Sequence, residues 1–110
     1  MANLTPKTLY VGNDTASNVY TVSSSTGSYA IIKTINVCNT TTGAATFDLH
    51  LLGGSGTPGN NNALFKSYTV NSYETISIDT TTVLDAGNKI YITNGSNKCT
   101  FAISGVEYSA

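Results

Sequence analysis

The sequence predicts an all-β protein, a single antiparallel β-sandwich of about eight strands with residues 1–110 forming one domain. Three observations carry that prediction. Apolar and polar residues alternate with period two from end to end, and the three- and four-residue spacing of an amphipathic helix is absent. Clusters of Gly, Asn, Asp and Ser break the alternation about every 8–12 residues, the rhythm of sandwiches and barrels. Thr, Ser and Asn make up 42 of the 110 residues, while only 10% are charged. Branched Thr sits well on a pleated surface, and Ser and Asn bond to nearby backbone in turns.

In chain order the strands fall at residues 8–11, 18–23, 28–39, 45–52, 64–70, 74–79, 89–93 and 98–108. The clearest inward sets are Ala45, Phe47, Leu49 and Leu51, then Ile76 and Ile78, then Ile90 and Ile92. In the third strand the simplest inward set is Ile31, Ile35 and Val37, which turns Cys38 to the other face. Turns follow at 12–14, 24–27, 39–43, 86–88 and 94–97. Residues 1–7 are expected as an extended N-terminal arm. Residues 53–62, Gly-Gly-Ser-Gly-Thr-Pro-Gly-Asn-Asn-Asn, read as a flexible loop between two strands.

Composition excludes several classes of function. Five Lys, no Arg and six scattered acids give a formal charge of −1, with no basic patch for nucleic acid and no basic face for a membrane surface. The apolar runs are far shorter than the ~20 residues of a membrane span. No charged n-region followed by an apolar stretch opens the chain, so synthesis in a cytosol is expected. Cys38 and Cys99 lie on opposite faces by parity and are expected as free thiols, Cys99 sharing the inward face of Phe101 and Ile103.

Catalysis is not expected. Asp48 and His50 share one strand face, which could orient an imidazole as a general base, but no nucleophile elbow accompanies them. They read as a solvent-facing polar pair. One His and two separated Cys do not make a zinc site, and no dense acidic loop suits calcium, so no cofactor or metal is expected. The seven Tyr are the more telling residues. Tyr10 and Tyr91 face away from their strands' apolar partners, and Tyr73 sits in a turn. With Asn60 and Asn61 of the glycine-rich loop they are the candidate contact residues. Exposed Tyr serves protein–protein interfaces and also stacks on sugars, so subunit contact and carbohydrate binding both stay open, contact being favoured.

An ordered set of phrases adds a resemblance. Asn18-Val19-Tyr20-Thr21-Val22 leads to Ile35-Asn36-Val37-Cys38-Asn39-Thr40-Thr41, then Ala45-Thr46-Phe47-Asp48-Leu49-His50-Leu51 and Asn62-Ala63-Leu64. Val83-Leu84-Asp85-Ala86-Gly87-Asn88-Lys89-Ile90 and Ile103-Ser104-Gly105-Val106-Glu107 complete it. The set spans residues 18–108 and resembles small virion structural proteins of tailed bacteriophages, including marine phages; Asn88 departs from the Asp more usual there. The Leu84–Ile90 phrase also occurs in jelly-roll domains, so the sandwich is expected to be jelly-roll-like. The resemblance implies a virion component with no catalytic residues, an oligomeric accessory or decoration protein on the head or particle surface that contacts other virion proteins. A tail- or fibre-associated receptor- or carbohydrate-binding module is the alternative. A homo-oligomer is expected, as a trimer.

Overall fold

The computed structural model describes residues 3–95 and 98–109; residues 1 and 2 of the expected arm and 96 and 97 of the last turn lie outside them. Eight strands form two four-stranded antiparallel sheets. They are β1 (Asn3–Gly12), β2 (Ala16–Thr21), β3 (Tyr29–Asn39), β4 (Ala45–Leu52), β5 (Ala63–Val70), β6 (Thr75–Asp85), β7 (Lys89–Thr93) and β8 (Cys99–Ser109). The first sheet has the order β1-β8-β3-β6, the second β2-β7-β4-β5. Every connection crosses between sheets except the β4–β5 hairpin. That order is the double Greek key of a jelly roll.

The core lies between the sheets. Phe47 of β4 meets Phe101 of β8 edge-to-face at 5.2 Å, and Ile32, Ile35, Val37, Leu49, Leu84, Ile90, Ile92 and Ile103 are fully buried around them. Ala45, Phe47 and Leu49 are buried as the alternation predicts, and Leu51 packs against the same cluster.

Bulges move the inward sets that simple parity cannot follow. Against β8 the register of β3 shifts between Ile32 and Thr34, leaving Lys33 as the extra, exposed residue; against β6 two residues, Thr80 and Thr81, stand opposite it. The inward set is therefore Ala30, Ile32, Ile35 and Val37; Ile31, expected inside, faces out. Opposite this kink stands Gly105, where a β-carbon would fall on the carbonyl oxygen of Ile31. Only glycine lets β8 lie so close to the bulged strand.

Two strands run further than expected. Residues 3–7, expected as an arm, pair with β8 from Asn3↔Ser109 onward as part of β1. β6 continues past residue 79 to Asp85 because its inward positions after Ile78 are Thr80 and Thr82, which carry no apolar signal. Their hydroxyls bond to each other at 2.7 Å, so burying them costs little. β6 then turns into β7 over residues 85–88, with Asn88 N–H donating to the Asp85 carbonyl at 3.0 Å and Gly87 at φ +80°. Gly87 thus supplies a left-handed residue in the turn expected at 86–88, just before the inward Ile90.

Candidate functional site

The sandwich has two ends, and all strand ends alternate between them. At the first end lie the connections 13–15, 40–44 and 71–74 with residues 94, 95 and 98; at the second lie 22–28, 53–62 and 86–88.

Two buried asparagines close the first end. Asn94 Nδ2 donates to the Cys99 carbonyl at 2.6 Å and its Oδ1 accepts from Cys99 N–H at 3.0 Å, so one side chain reproduces a two-way strand pairing. Asn39 Nδ2 donates to the carbonyls of Gly43 and Val70, and its Oδ1 accepts from the Thr41 N–H and hydroxyl. Each satisfies backbone groups that no strand partner reaches. Sequence reasoning placed both in ordinary turns; no local signal separates a buried turn Asn from an exposed one.

The candidate contact residues do not gather. Tyr10 is not an outward ring: the β1 register shifts between Thr8 and Tyr10, and Tyr10 packs against the core, with its hydroxyl accepting from Asp14 N–H at 3.1 Å. Burial pushes its phenol above the ordinary range. Tyr73 is exposed in the β5–β6 turn at φ +55°, an uncommon conformation for a bulky residue. Tyr91 lies outward on β7, half-buried and edge-on to His50 at 6.2 Å. Asn60 and Asn61 are exposed at the second end. No shared platform of aromatic rings joins Tyr10, Tyr73 and Tyr91.

The Asp48–His50 pair is a second correction. Instead of facing solvent, His50 is 4% exposed, and its Nδ1 has no hydrogen-bond partner. Asp48 does not orient it. The Asp48 oxygens accept from Ser67 N–H at 2.6 Å and from Lys66 Nζ at 3.3 Å, pinning a bulge of β5 where Ser67 takes φ +51°. The carboxylate is spent on backbone geometry. Among the described residues no three His, Cys, Asp or Glu converge as metal ligands. Cys38 and Cys99 are free, as expected, and burial raises the Cys99 thiol above its usual range.

One charged group bridges the sheets. The Tyr20 hydroxyl of β2 donates to Glu107 Oε2 of β8, and Lys7 Nζ of β1 donates to Oε1 at 3.1 Å. The Tyr20 bond, with help from Lys7, holds the Glu107 carboxyl below the usual range, against an opposing desolvation. Burial, then the same bond, raises the Tyr20 phenol.

The outward face of the first sheet is poor in charge. Its charged side chains are Lys33, Asp79 and Asp85. An open depression of about 420 Å³, lined by Lys33, Thr34, Asp79, Thr80 and Thr81, marks the bulged β3–β6 pair. The outward face of the second sheet carries the Asp48–Lys66 ion pair and Lys89.

No protein-family model matches the chain, and no curated protein matches it in sequence. Among solved structures, a chain in the structure of infectious bursal disease virus Gx strain aligns with it at a TM-score of 0.48 and 10% identity. The alignment covers 98% of this chain and 31% of that one, so this chain spans about a third of that neighbour's length.

Proposed function

We propose that the chain is a non-enzymatic structural component of a tailed-bacteriophage virion, made in the host cytoplasm and incorporated as a homo-oligomeric accessory or decoration protein on the head or particle surface. The observation that carries this reading is where the phage-like phrases fall. Val37-Cys38-Asn39-Thr40 contains the Asn39 clamp, Leu84-Asp85-Ala86-Gly87-Asn88-Lys89-Ile90 makes the left-handed turn, and Ser104-Gly105-Val106-Glu107 holds both the close approach to Ile31 and the Tyr20 bond. The resemblance thus lies on positions that set this fold, spread over nearly the whole chain. His50 and Asp48, the pair with most resemblance to catalytic chemistry, are committed to a buried position on the outward side of β4 and to a bulge. Other virion proteins are the partners this reading names.

The test is mass spectrometry of purified particles followed by location of the chain's density in the intact particle. Many copies on the head or particle surface are expected. Absence from purified particles overturns the proposal.

A further inference from the structure

Each sheet ends in two strands with one side unpaired: β1 and β6 in the first, β2 and β5 in the second. A free edge presents a row of N–H and C=O groups to other chains, and folded proteins blunt it with proline, lysine, bulges or short length. Three of the four edges are blunted. β1 carries Pro6 and Lys7, both exposed, and its register shifts between Thr8 and Tyr10. β2 has only six residues and shifts between Asn18 and Tyr20. β5 carries Lys66 and the bulge at Ser67.

β6 is different. Its eleven residues include no Pro, Lys or Gly, and seven of them are β-branched, the type that best suits a strand. Exposure alternates along it without a break, because the irregularity between β3 and β6 falls at Lys33, where β3 and not β6 changes parity. Among the described residues, no backbone bond outside the β3 ladder involves residues 76–84. Ile76 and Ile78 pack against the core yet stay half-buried at this edge.

We propose that the β6 edge pairs antiparallel with the β6 edge of a second copy, joining two four-stranded sheets into one of eight strands. The proposal rests on the reading of the chain as a homo-oligomer and names the strand involved. What selects a second copy is that β6 is complementary to itself in one register. Inward residues must stand against inward ones. With the two-fold axis at Thr80, Ile76 lies across from the partner's Leu84 and Ile78 across from the partner's Thr82. On the outward face Thr75 meets the partner's Asp85, Ser77 the partner's Val83, and Asp79 the partner's Thr81. All eleven residues pair, and each carboxylate stands against a hydroxyl.

Neighbouring registers fail. An axis at Asp79 sets that carboxylate against its own copy, and an axis at Thr82 sets it against the partner's Asp85, like charges directly opposite. An axis at Thr81 leaves Thr75 and Ile76 unpaired and puts Asp79 against the partner's Val83. The pair is also closed. It uses up both free β6 edges and leaves only blunted ones, so assembly through this contact stops at two copies. The oligomer inferred is a pair in place of the trimer expected from sequence.

The experiment is light scattering coupled to gel filtration on the full chain, across low to high micromolar concentration. A mass of about 23 kDa, twice the 11.5 kDa chain, is expected for the wild type. Ser77→Lys with Val83→Lys, at two exposed positions, sets lysines opposite each other on both sides of the axis. That variant is expected to elute as a monomer with an unchanged circular-dichroism spectrum. Ser77→Glu with Val83→Lys turns the same contacts into ion pairs and is expected to remain a pair. Under oxidation, Thr80→Cys is expected to give a disulfide-linked pair on a non-reducing gel, because its two thiols face across the axis. Thr82→Cys, whose two copies lie out of register, is expected to give none. Wild-type protein that is monomeric throughout, a trimer mass, a double-lysine variant that still pairs, or crosslinking at residue 82 in preference to 80 would each overturn the proposal. A monomer that is nonetheless abundant in particles removes this interface and leaves the virion assignment standing. A pair absent from particles does the reverse.

Discussion

The two ends of the sandwich are closed by different means. At the first end Asn39 and Asn94 lie fully buried with their amides bonded: Asn94 to the backbone of Cys99, Asn39 to its own turn at Thr41 and Gly43 and to the Val70 carbonyl of β5. At the second end the loop 53–62 is bonded mainly to itself: Asn62 Nδ2 donates to the Thr57 carbonyl at 2.8 Å, its Oδ1 accepts from Gly59 N–H, and Gly56 N–H donates to Gly53 at 2.6 Å. The Leu51 N–H donates to the Asn62 carbonyl at 3.0 Å and ties the loop back to β4. The first end is therefore part of the core, and the 53–62 loop of the second is an attachment to it. Composition alone hides this, since both ends are rich in Asn.

Substitutions can break that contrast. Asn94→Ala leaves the N–H and carbonyl of Cys99 buried without partners, and a loss of about 3 kcal/mol is expected in urea unfolding. Asn39→Ala is expected to cost a similar amount, because four bonds go with it. Loss below about 0.5 kcal/mol in either, the range of ordinary surface changes, would show that water replaces the clamp.

Tyr20→Phe tests a bond between the sheets and is expected to cost about 1 kcal/mol, a charge-assisted bond discounted for partial solvation. Its pH dependence carries the sign. Glu107 titrates lower in the folded chain than in the unfolded one, so its contribution is present above the ordinary carboxylate range and is lost as pH falls through its lowered value. Tyr20 titrates higher when folded, so its contribution holds below the ordinary phenol range and is lost as pH rises through the raised value. The Tyr20→Phe chain is expected to show a flatter stability profile at both extremes than the wild type. Identical profiles would refute the bridge.

The smallest effects belong to the second end. Asn62→Ala removes two loop bonds in a partly solvated setting, with about 0.5–1 kcal/mol expected. Asn60→Ala with Asn61→Ala is expected to fall within about 0.5 kcal/mol, as for surface changes. A double variant as damaging as Asn94→Ala would erase the distinction between the ends.

The alternation of Phe47 with Leu49, and of Ile90 with Ile92, sufficed to place most strands, because these segments run without bulges at their inward positions. It failed at Ile31 and Tyr10 for one physical reason, while His50 keeps its outward parity opposite Tyr91 and is buried there all the same. A bulge inserts a residue into one strand, so every later parity assignment inverts, and nothing in Ile31-Ile32-Lys33-Thr34 announces it. The tail of β6 was hidden differently, by Thr at inward positions whose hydroxyls satisfy each other. The candidate contacts were chosen by outwardness alone. Tyr73 and Tyr91 kept it and Tyr10 did not.

The Asn94 clamp also governs how the protein ages. Asn94 precedes Gly95, the arrangement in which a side-chain amide is most readily lost through a cyclic imide, since glycine puts no side chain in the path of its attacking nitrogen. In the folded chain both ends of that amide are held by Cys99, and ring closure must first break those bonds. Conversion to aspartate therefore proceeds through molecules whose first end has opened, and each conversion leaves a carboxylate where the fold requires an amide donor. Chemical wear at this one position is a record of how often the sandwich has come undone.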